Sequence, residues 1–448
     1  MAFKFKGGVH PDYRKHPEVP VTVITPPPQV VIPMAQHIGA PCTPLVKKGD
    51  HVNMYQKIGD NPAPVSAPVH ASVSGTVVAV EPRPHPLGDL IMSVVIENDF
   101  QDTPELMEPL TEDQLKDPLS ILQRIRDAGV VGMGGAMFPT AFKISSGLGK
   151  VDTLIINGAE CEPYINGDHL TMLNHPDELL KGIELARIAQ GVQKVYYGIE
   201  KNKQDAIDLL NAHGAEKYGI TIVPESATYP QGGEKMQIKT ITNREVKPGG
   251  LPSGVGCCVI STRTAYAIYQ ACYEGKSVIE RIVTIDGSAV AAPVNALTRV
   301  GTSFEYLAEQ AGGFIRTPRK VVLGGPMMGI CATTLEAVTV KGTAGVLFFT
   351  EDEDRTVEEP VCIRCGKCIN VCPMRLEPTY MYQYYKKRNF EMLEKYHVTD
   401  CIECGSCTFR CPARMPLTHA FKTAKLMLQA RAAKEKAKAE AAAKEAKK

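Results

Sequence analysis

The sequence predicts a multidomain protein, α/β plus all-β, that ends in a helical module built on eight cysteines. Three observations carry this. The chain has 448 residues, more than one hydrophobic core sustains. Short β-like runs near the N-terminus give way to a longer stretch where helical and strand-like segments alternate. Near the C-terminus one cysteine spacing occurs twice.

Residues 1–33 are rich in proline and read as an extended lead-in. From about 34 to 100, the turns Lys48-Gly49-Asp50 and Ser74-Gly75-Thr76 precede Val52 and Val77-Val78-Ala79-Val80. Leu90 to Glu97 reads as a closing strand. Glycine turns between β-branched runs indicate a small all-β unit, which resembles the barrel-sandwich domain of biotinyl and lipoyl carriers. Those carriers need a modifiable lysine on an exposed hairpin. The corresponding Ala67-Pro68-Val69-His70-Ala71-Ser72 has none, so a structural role is expected of this unit, residues 1–105.

Residues about 115–275 contain strand candidates at Thr153–Asn157, Lys194–Ile199 and Thr221–Pro224, and helices over Leu179–Ala189 and Lys203–Ala212. This is the βαβ rhythm of an α/β sheet, assigned to residues 106–278. Within 279–350, two β-like ends flank a short helix, Ser303–Ala311, closed by Gly312-Gly313, which suggests a β-grasp unit. The acidic segment Glu351 to Glu359 reads as a linker opening the cysteine module at 351–425. Residues 426–448 form a charged helical tail. From Arg431 onward it has seven basic against three acidic residues, the pattern of a solvated helix.

The hydrophobic fraction of 44% and charged fraction of 22% are ordinary for a globular chain. A net charge of +1, no Trp and 6% aromatics give neither the field nor the stacking platforms of a nucleic-acid binder. Met1-Ala2-Phe3-Lys4-Phe5-Lys6 lacks the apolar stretch of a signal peptide. No run of 18 apolar residues occurs, so membrane association is expected through partners.

Fourteen cysteines in a chain without an export signal argue against a disulfide framework. Eight form two sets, Cys362, Cys365, Cys368, Cys372-Pro373 and Cys401, Cys404, Cys407, Cys411-Pro412. Both read C-x2-C-x2-C-x3-C-P, the two-cluster run in which the fourth cysteine closes the other cluster. Two [4Fe–4S] clusters are therefore expected, one on Cys362, Cys365, Cys368 and Cys411, the other on Cys401, Cys404, Cys407 and Cys372. The intervening 28 residues, Pro373 to Asp400, suit helices. The other six cysteines read as buried small hydrophobes.

Three further stretches point to a nucleotide. Gly129 to Lys143 holds clustered glycines, Gly132, Gly134 and Gly135, which let backbone N–H groups approach a phosphate, and Lys143 adds a cation. Asn157, Glu160 and Glu162 follow the strand Leu154-Ile155-Ile156, where α/β sheets place ligand contacts. The third is Tyr229-Pro230-Gln231-Gly232-Gly233-Glu234. Each alone could be a solvated turn. In this order, with Gly7-Gly8-Val9-His10-Pro11 and Lys247-Pro248-Gly249-Gly250-Leu251-Pro252, they resemble the FMN- and NADH-binding flavoprotein subunit of respiratory complex I. The resemblance is closer to the C-subunit of the Rnf ferredoxin:NAD oxidoreductase complexes, and extends to about residue 420.

That resemblance implies a barrel-sandwich lead domain, an FMN/NADH-binding α/β domain, an SLBB-like β-grasp domain and a ferredoxin module. It implies that Gly132, Gly134, Gly135, Lys143 and Asn157 contact FMN, and that Glu160 and Gly232 line the same pocket. Phe138 and Glu162 would face NAD(H), with Tyr229 and Glu234 near it. Its implied partners are an iron–sulfur subunit and integral membrane subunits that translocate ions, with ferredoxin as the indirect electron source, on the cytoplasmic face of the bacterial inner membrane. The chain departs from the complex I pattern at Met133 and Met137 (Arg and Gly there), at Ala159 (Asp), at Gly233 (an acidic residue) and at Ser261 (Asn). A soluble cobalamin-reductase-like flavin/NADH reductase shares these modules, and an electron-relay or assembly subunit with a decayed nucleotide site fits the departures.

Overall fold

The computed structural model describes residues 3–135 and 137–445, with side chains to 439. Met1 and Ala2 of the N-terminal reading, and the last three residues of the tail, lie outside the described residues.

Eight strands open the chain: β1 (Val21–Val23), β2 (Gln29–Pro33), β3 (Thr43–Pro44), β4 (His51–Val52), β5 (Lys57–Asp60), β6 (Val69–His70), β7 (Gly75–Pro84) and β8 (Leu90–Asn98). One antiparallel sheet runs β2-β8-β7-β4 and a second β3-β5-β6. Alternate residues, among them Val30, Ile32, Ile58, Val69, Val77 and Ile96, share one core. The segment corresponding to a carrier hairpin is docked: Ala67, Val69 and Ala71 are buried, and Ser72 Oγ donates to the Val300 carbonyl at 2.6 Å.

The lead-in departs from the expected extended segment. β1 pairs in parallel with a strand far downstream, Val21 opposite Asn295, and β2 belongs to the sandwich. A run of five β-branched residues between Pro20 and Pro26 is too short to signal a strand locally, and the edge of a distant sheet supplies the pairing.

The α/β domain comprises α1 (Pro118–Asp127), α2 (Thr140–Ser145), β9 (Thr153–Gly158), α3 (Gly167–Asn174), α4 (Pro176–Gln190), β10 (Lys194–Glu200), α5 (Gln204–Ala212), β11 (Ile220–Glu225), α6 (Glu234–Thr242), β12 (Cys257–Ser261) and α7 (Thr262–Tyr273). Its sheet is all parallel, in the order β11-β10-β9-β12. The chain builds outward from β9 to β11, then returns to place β12 on the other side of β9. Helices cover it, and Leu154, Ile156, Leu180, Ile183, Tyr197 and Ile268 lie in its core.

β13 (Glu280–Asp286), β14 (Val294–Arg299), α8 (Phe304–Gln310), β15 (Lys320–Leu323), β16 (Ile330–Cys331) and β17 (Gly345–Phe349) form the β-grasp unit, with β1 at one edge of its six-stranded sheet. Ser303 caps α8, accepting from Tyr306 N. Phe304, Leu307 and Ala308 press onto the sheet. Of the six scattered cysteines five are buried, but Cys331 is exposed, because it sits on the edge strand β16.

The cysteine module is helical, as expected: α9 (Lys367–Asn370), α10 (Pro378–Lys386), α11 (Phe390–Lys395), α12 (Ser406–Arg410) and α13 (Leu417–Glu445). α13 passes residue 426 without a break. Leu417, Phe421, Ala424 and Leu428 anchor it in the module core, so the tail continues an anchored helix. Among the described residues no helix is long and apolar enough to cross a membrane.

Lys341 fastens three domains. Its buried Nζ donates to the Pro68 carbonyl at 2.6 Å and the Gly129 carbonyl at 2.7 Å. Gly129 has φ +65, and a Cβ there would lie 2.3 Å from the Pro68 oxygen. Burial lowers the Lys341 pKa from 10.5 to about 8. Between those values the unfolded chain binds more protons than the folded one, so this residue's contribution to stability rises with pH. Against Lys341→Met, the wild type is expected to gain on the order of 3 kcal/mol from pH 8 to 10.5, read as a widening difference in unfolding midpoint.

Candidate functional site

In open α/β sheets a ligand sits at the strands' C-terminal ends where the strand order reverses, here between β9 and β12. Asn157, one residue before the end of β9, and Ser261, which ends β12, face each other in register. The glycine loop lies over this point. It is pinched at its base, where Gly132 N donates to the Phe138 carbonyl at 2.8 Å and Val131 bridges Pro139. Met133 N donates to Thr264 Oγ1 at 3.0 Å, and a Cβ on Gly134 would lie 3.4 Å from Ser261 Cβ. At Gly135 a Cβ would meet nothing within 4 Å, so bare backbone borders open space.

The rest of the predicted set converges here. Asn157 Nδ2 donates to the Gly232 carbonyl at 2.8 Å. Lys143 Nζ, on α2, meets Glu234 Oε1, on the first turn of α6, at 2.5 Å. Phe138 is half-buried, its ring 6.0 Å from that of Phe142. Gly132, Gly134, Gly135, Lys143, Asn157, Gly232 and Glu234 thus border one crevice. Exposed glycine backbone, one cation and a helix N-terminus suit a flat ring carrying a phosphate.

Glu160, Glu162 and Tyr229 are placed differently from the expectation. Both Glu160 carboxylate oxygens accept from backbone N–H groups at the start of α3, Asp168 at 2.6 Å and His169 at 3.0 Å. Glu162 accepts from Met327 N and Met328 N of the β-grasp domain, at 3.1 and 3.0 Å. Tyr229 is fully buried, its hydroxyl 3.0 Å from Glu162 Oε1 and 2.7 Å from the Cys404 carbonyl. One hydroxyl hydrogen cannot serve both oxygens. Burial pushes the Glu162 carboxyl up to about 7, so near neutrality its protonated form can donate to Tyr229 while Tyr229 donates to Cys404. Glu162 and Tyr229 form a junction between domains that no local sequence signal reveals, while the Glu160 carboxylate braces the start of α3 within its own domain.

The two cysteine sets surround two cavities. One is lined by Cys372, Cys401, Cys404 and Cys407, the other by Cys362, Cys365, Cys368 and Cys411. Each combines three thiols of one set with the fourth of the other. Among the described residues no three His, Cys, Asp or Glu converge on a point that would hold a single ion; the thiols stand around a space, the geometry of a polynuclear centre. Burial pushes the Cys401 thiol up to about 12, so it ionises only against a bound cation. Cys404 and Cys407 are buried, whereas Cys362 and Cys365 are exposed.

The N-terminal motif, which the sequence offered only by resemblance, ties these parts together. Gly8 N donates to the Val371 carbonyl at 2.9 Å, and Val9 exchanges backbone hydrogen bonds with Tyr229 at 2.8 and 2.9 Å. Gly7 has φ +83, and a Cβ there would lie 2.8 Å from the Cys372 carbonyl oxygen. Lys15 Nζ donates to the carbonyls of Glu160, at 2.8 Å, and Ile165.

Known proteins agree with this architecture. Residues 3–101 match the family described as "RnfC Barrel sandwich hybrid domain", 125–270 "Nuo51 FMN-binding domain", 282–330 "SLBB domain" and 356–412 "4Fe-4S dicluster domain". A solved NAD+-reducing [NiFe]-hydrogenase, in its H2-reduced state, shares the fold with a TM-score of 0.51 at 20% identity, over 70% of this chain and 61% of that one. The C-subunit of the Na(+)-translocating ferredoxin:NAD(+) oxidoreductase complex of Acetobacterium woodii is 42% identical over 88% of this chain and 90% of its own length. The C-subunit of the proton-translocating complex of Clostridium ljungdahlii is 41% identical over 85% and 84%. Its counterpart in the ion-translocating oxidoreductase complex of Rhodobacter capsulatus is 36% identical over 84% and 74%. With all four domains matched in order and relatives this similar along most of their length, the chain belongs to the RnfC family, the C-subunits of the Rnf-type ion-translocating oxidoreductase complexes.

Proposed function

We propose that this chain passes electrons between NAD(H), FMN and two [4Fe–4S] clusters, as the peripheral oxidoreductase subunit of a membrane-bound ferredoxin:NAD complex. The observation that carries this is the 2.7 Å contact of the Tyr229 hydroxyl with the Cys404 carbonyl, which ties the turn from Tyr229 to Gly232, whose last residue borders the flavin crevice, to a cysteine cavity. FMN, when bound, converts between the two electrons of a hydride and the single electrons of a cluster.

Gly132, Gly134, Gly135, Asn157 and Gly232 border the flavin, and Lys143, oriented by Glu234, supplies the positive charge. Phe138 offers a flat face to the nicotinamide. Glu160 and Glu162, committed to protein N–H groups, shape the site. The inner cluster sits on Cys372, Cys401, Cys404 and Cys407. The outer one sits on Cys362, Cys365, Cys368 and Cys411, where exposed Val361 and Ile363 form an apolar collar for an iron–sulfur partner subunit. Hydride transfer needs no acid–base side chain. Integral membrane subunits translocate the ions, placing the chain in the translocase class, on the cytoplasmic face of the inner membrane.

Added to anaerobic, FMN-loaded, cluster-reconstituted protein, NADH is expected to bleach the flavin absorbance and produce the EPR signal of a reduced cluster. Bound flavin that NADH cannot reduce would sink the reading. Gly135→Val fills the open space and is expected to weaken FMN binding by about tenfold or more, with iron content unchanged. Cys411→Ala should disturb the outer cluster, with Cys362, Cys365 and Cys368, and Cys372→Ala the inner. Loss of the opposite EPR signal in either variant would reverse the assignment. Gly7→Val should keep flavin and iron yet slow NADH-driven cluster reduction roughly tenfold or more in stopped flow, by displacing the inner cluster loop.

A further inference from the structure

A separate cavity opens between α3, α7 and β13, where the sandwich, α/β and β-grasp domains meet. His175, Tyr266, Gln270, Lys276 and Arg281 line it, with Tyr55 reaching in from the sandwich. One cation that lines it is short of hydrogen-bond partners. Arg281 is only 4% exposed, and its Nε and Nη1 have no hydrogen-bond partner among the described residues. Its one bond is a long one, Nη2 to the Met133 carbonyl at 3.4 Å. A guanidinium does not shed its proton to escape burial, and Asp168, the carboxylate whose charge bears on Arg281, is hydrogen-bonded to Arg263 instead.

The surrounding carboxylates are already engaged. Asp168 pairs with Arg263 at 2.8 Å, Glu280 with Arg299 at 3.2 Å, and Glu274 with Lys276 at 2.8 Å. Arg263 adds like charge beside Arg281, and its Nη1 is spent on the Ile282 carbonyl. His175 stacks on Tyr266, ring centroids 4.7 Å apart, which fixes one wall. A buried guanidinium with two unpartnered N–H groups, bordering a space lined by His, Lys, Gln and Tyr and by one carboxylate, Glu280, that is paired with Arg299, is an arrangement that receives an anion.

We propose that this cavity is an oxyanion site, in which Arg281 receives the phosphate or carboxylate group of a small ligand. It is distinct from the flavin crevice, which is bordered by the far side of the glycine loop and by α6.

The test is equilibrium dialysis of the full chain with clusters and FMN in place, so that the flavin's own phosphate position is filled. Inorganic phosphate and acetate serve as separate probes. Saturable binding of one anion per chain is expected, weakened about tenfold or more in Arg281→Met when it is compared at equal flavin and iron loading. Phosphate binding alone marks a phosphate-bearing ligand and acetate binding alone a carboxylate. Gln270→Glu places a carboxylate on the same wall and should weaken binding similarly, so it decides the matter should Arg281→Met fail to fold. Binding of neither anion, or binding that survives the substitutions, overturns the proposal.

Discussion

The arrangement of the chain hinges on the buried contact of Tyr229 with Cys404. An electron carrier has to hold its redox centres at a fixed separation, because transfer falls steeply with distance. Here the α/β domain and the cysteine module meet in a small cluster of Val9, Cys161, Tyr229 and Cys404, with Met327, Val371 and Ile402 packed against it. The N-terminal lead-in and the α/β, β-grasp and cysteine units all contribute to it. The polar groups inside are satisfied across domain boundaries: Glu162 by the β-grasp backbone and Tyr229, Tyr229 by the module. Removing one partner would strand the others, so the interactions hold position as much as they add stability.

Buried charge follows the same logic elsewhere. The Lys203–Glu200 pair, at 2.8 Å, is almost wholly buried, and Lys203 also reaches the Ala159 carbonyl at 2.6 Å. Lys341 serves the sandwich and the α/β domain together. Such groups are poor sources of stability compared with packed hydrocarbon. Their value here is registry: each amine finds its acceptors in only one relative placement of the segments, whereas apolar surfaces tolerate sliding.

Local pattern made much of the fold legible. β9 to β11, α4, α5 and the helical cysteine module announced themselves through periodicity or spacing, and Asn157 through its place at a strand end. The hidden parts depend on contacts distant in sequence. β1 exists because β14 offers it an edge. Glu162 and Tyr229 looked like ligand contacts because their side chains are what a nucleotide site uses, yet a β-grasp loop 165 residues away takes up the carboxylate. The crossed cysteine sets were readable because the spacing itself encodes the crossing. Gly7 was readable only by resemblance, because a close approach to Cys372 leaves no mark in the neighbouring residues.

The departures from the complex I pattern gain meaning from where they fall. Met133 is buried in the α/β core, and only its backbone meets the loop's supports, Thr264 and Arg281. Its change from Arg therefore alters the backing of the crevice and spares its face. Met137 has φ +48, a conformation suited to the Gly of the related flavoproteins and strained for Met by roughly 1–2 kcal/mol. Its side chain packs so closely on Gly342 that a Cβ there would lie 2.3 Å from its Cγ, and this contact with the β-grasp domain offsets the strain. Ala159 is likewise buried, its N–H bonded to Asn157. Ser261 alone of these faces the glycine loop, where its hydroxyl sits 2.8 Å from Thr264 Oγ1, the same oxygen that receives Met133 N. The substitution of Ser for Asn thus trades a longer amide for a hydroxyl that braces the loop from below. The crevice keeps its glycines, Lys143 and Asn157, and what has changed is mostly how its rim is held against the β-grasp domain.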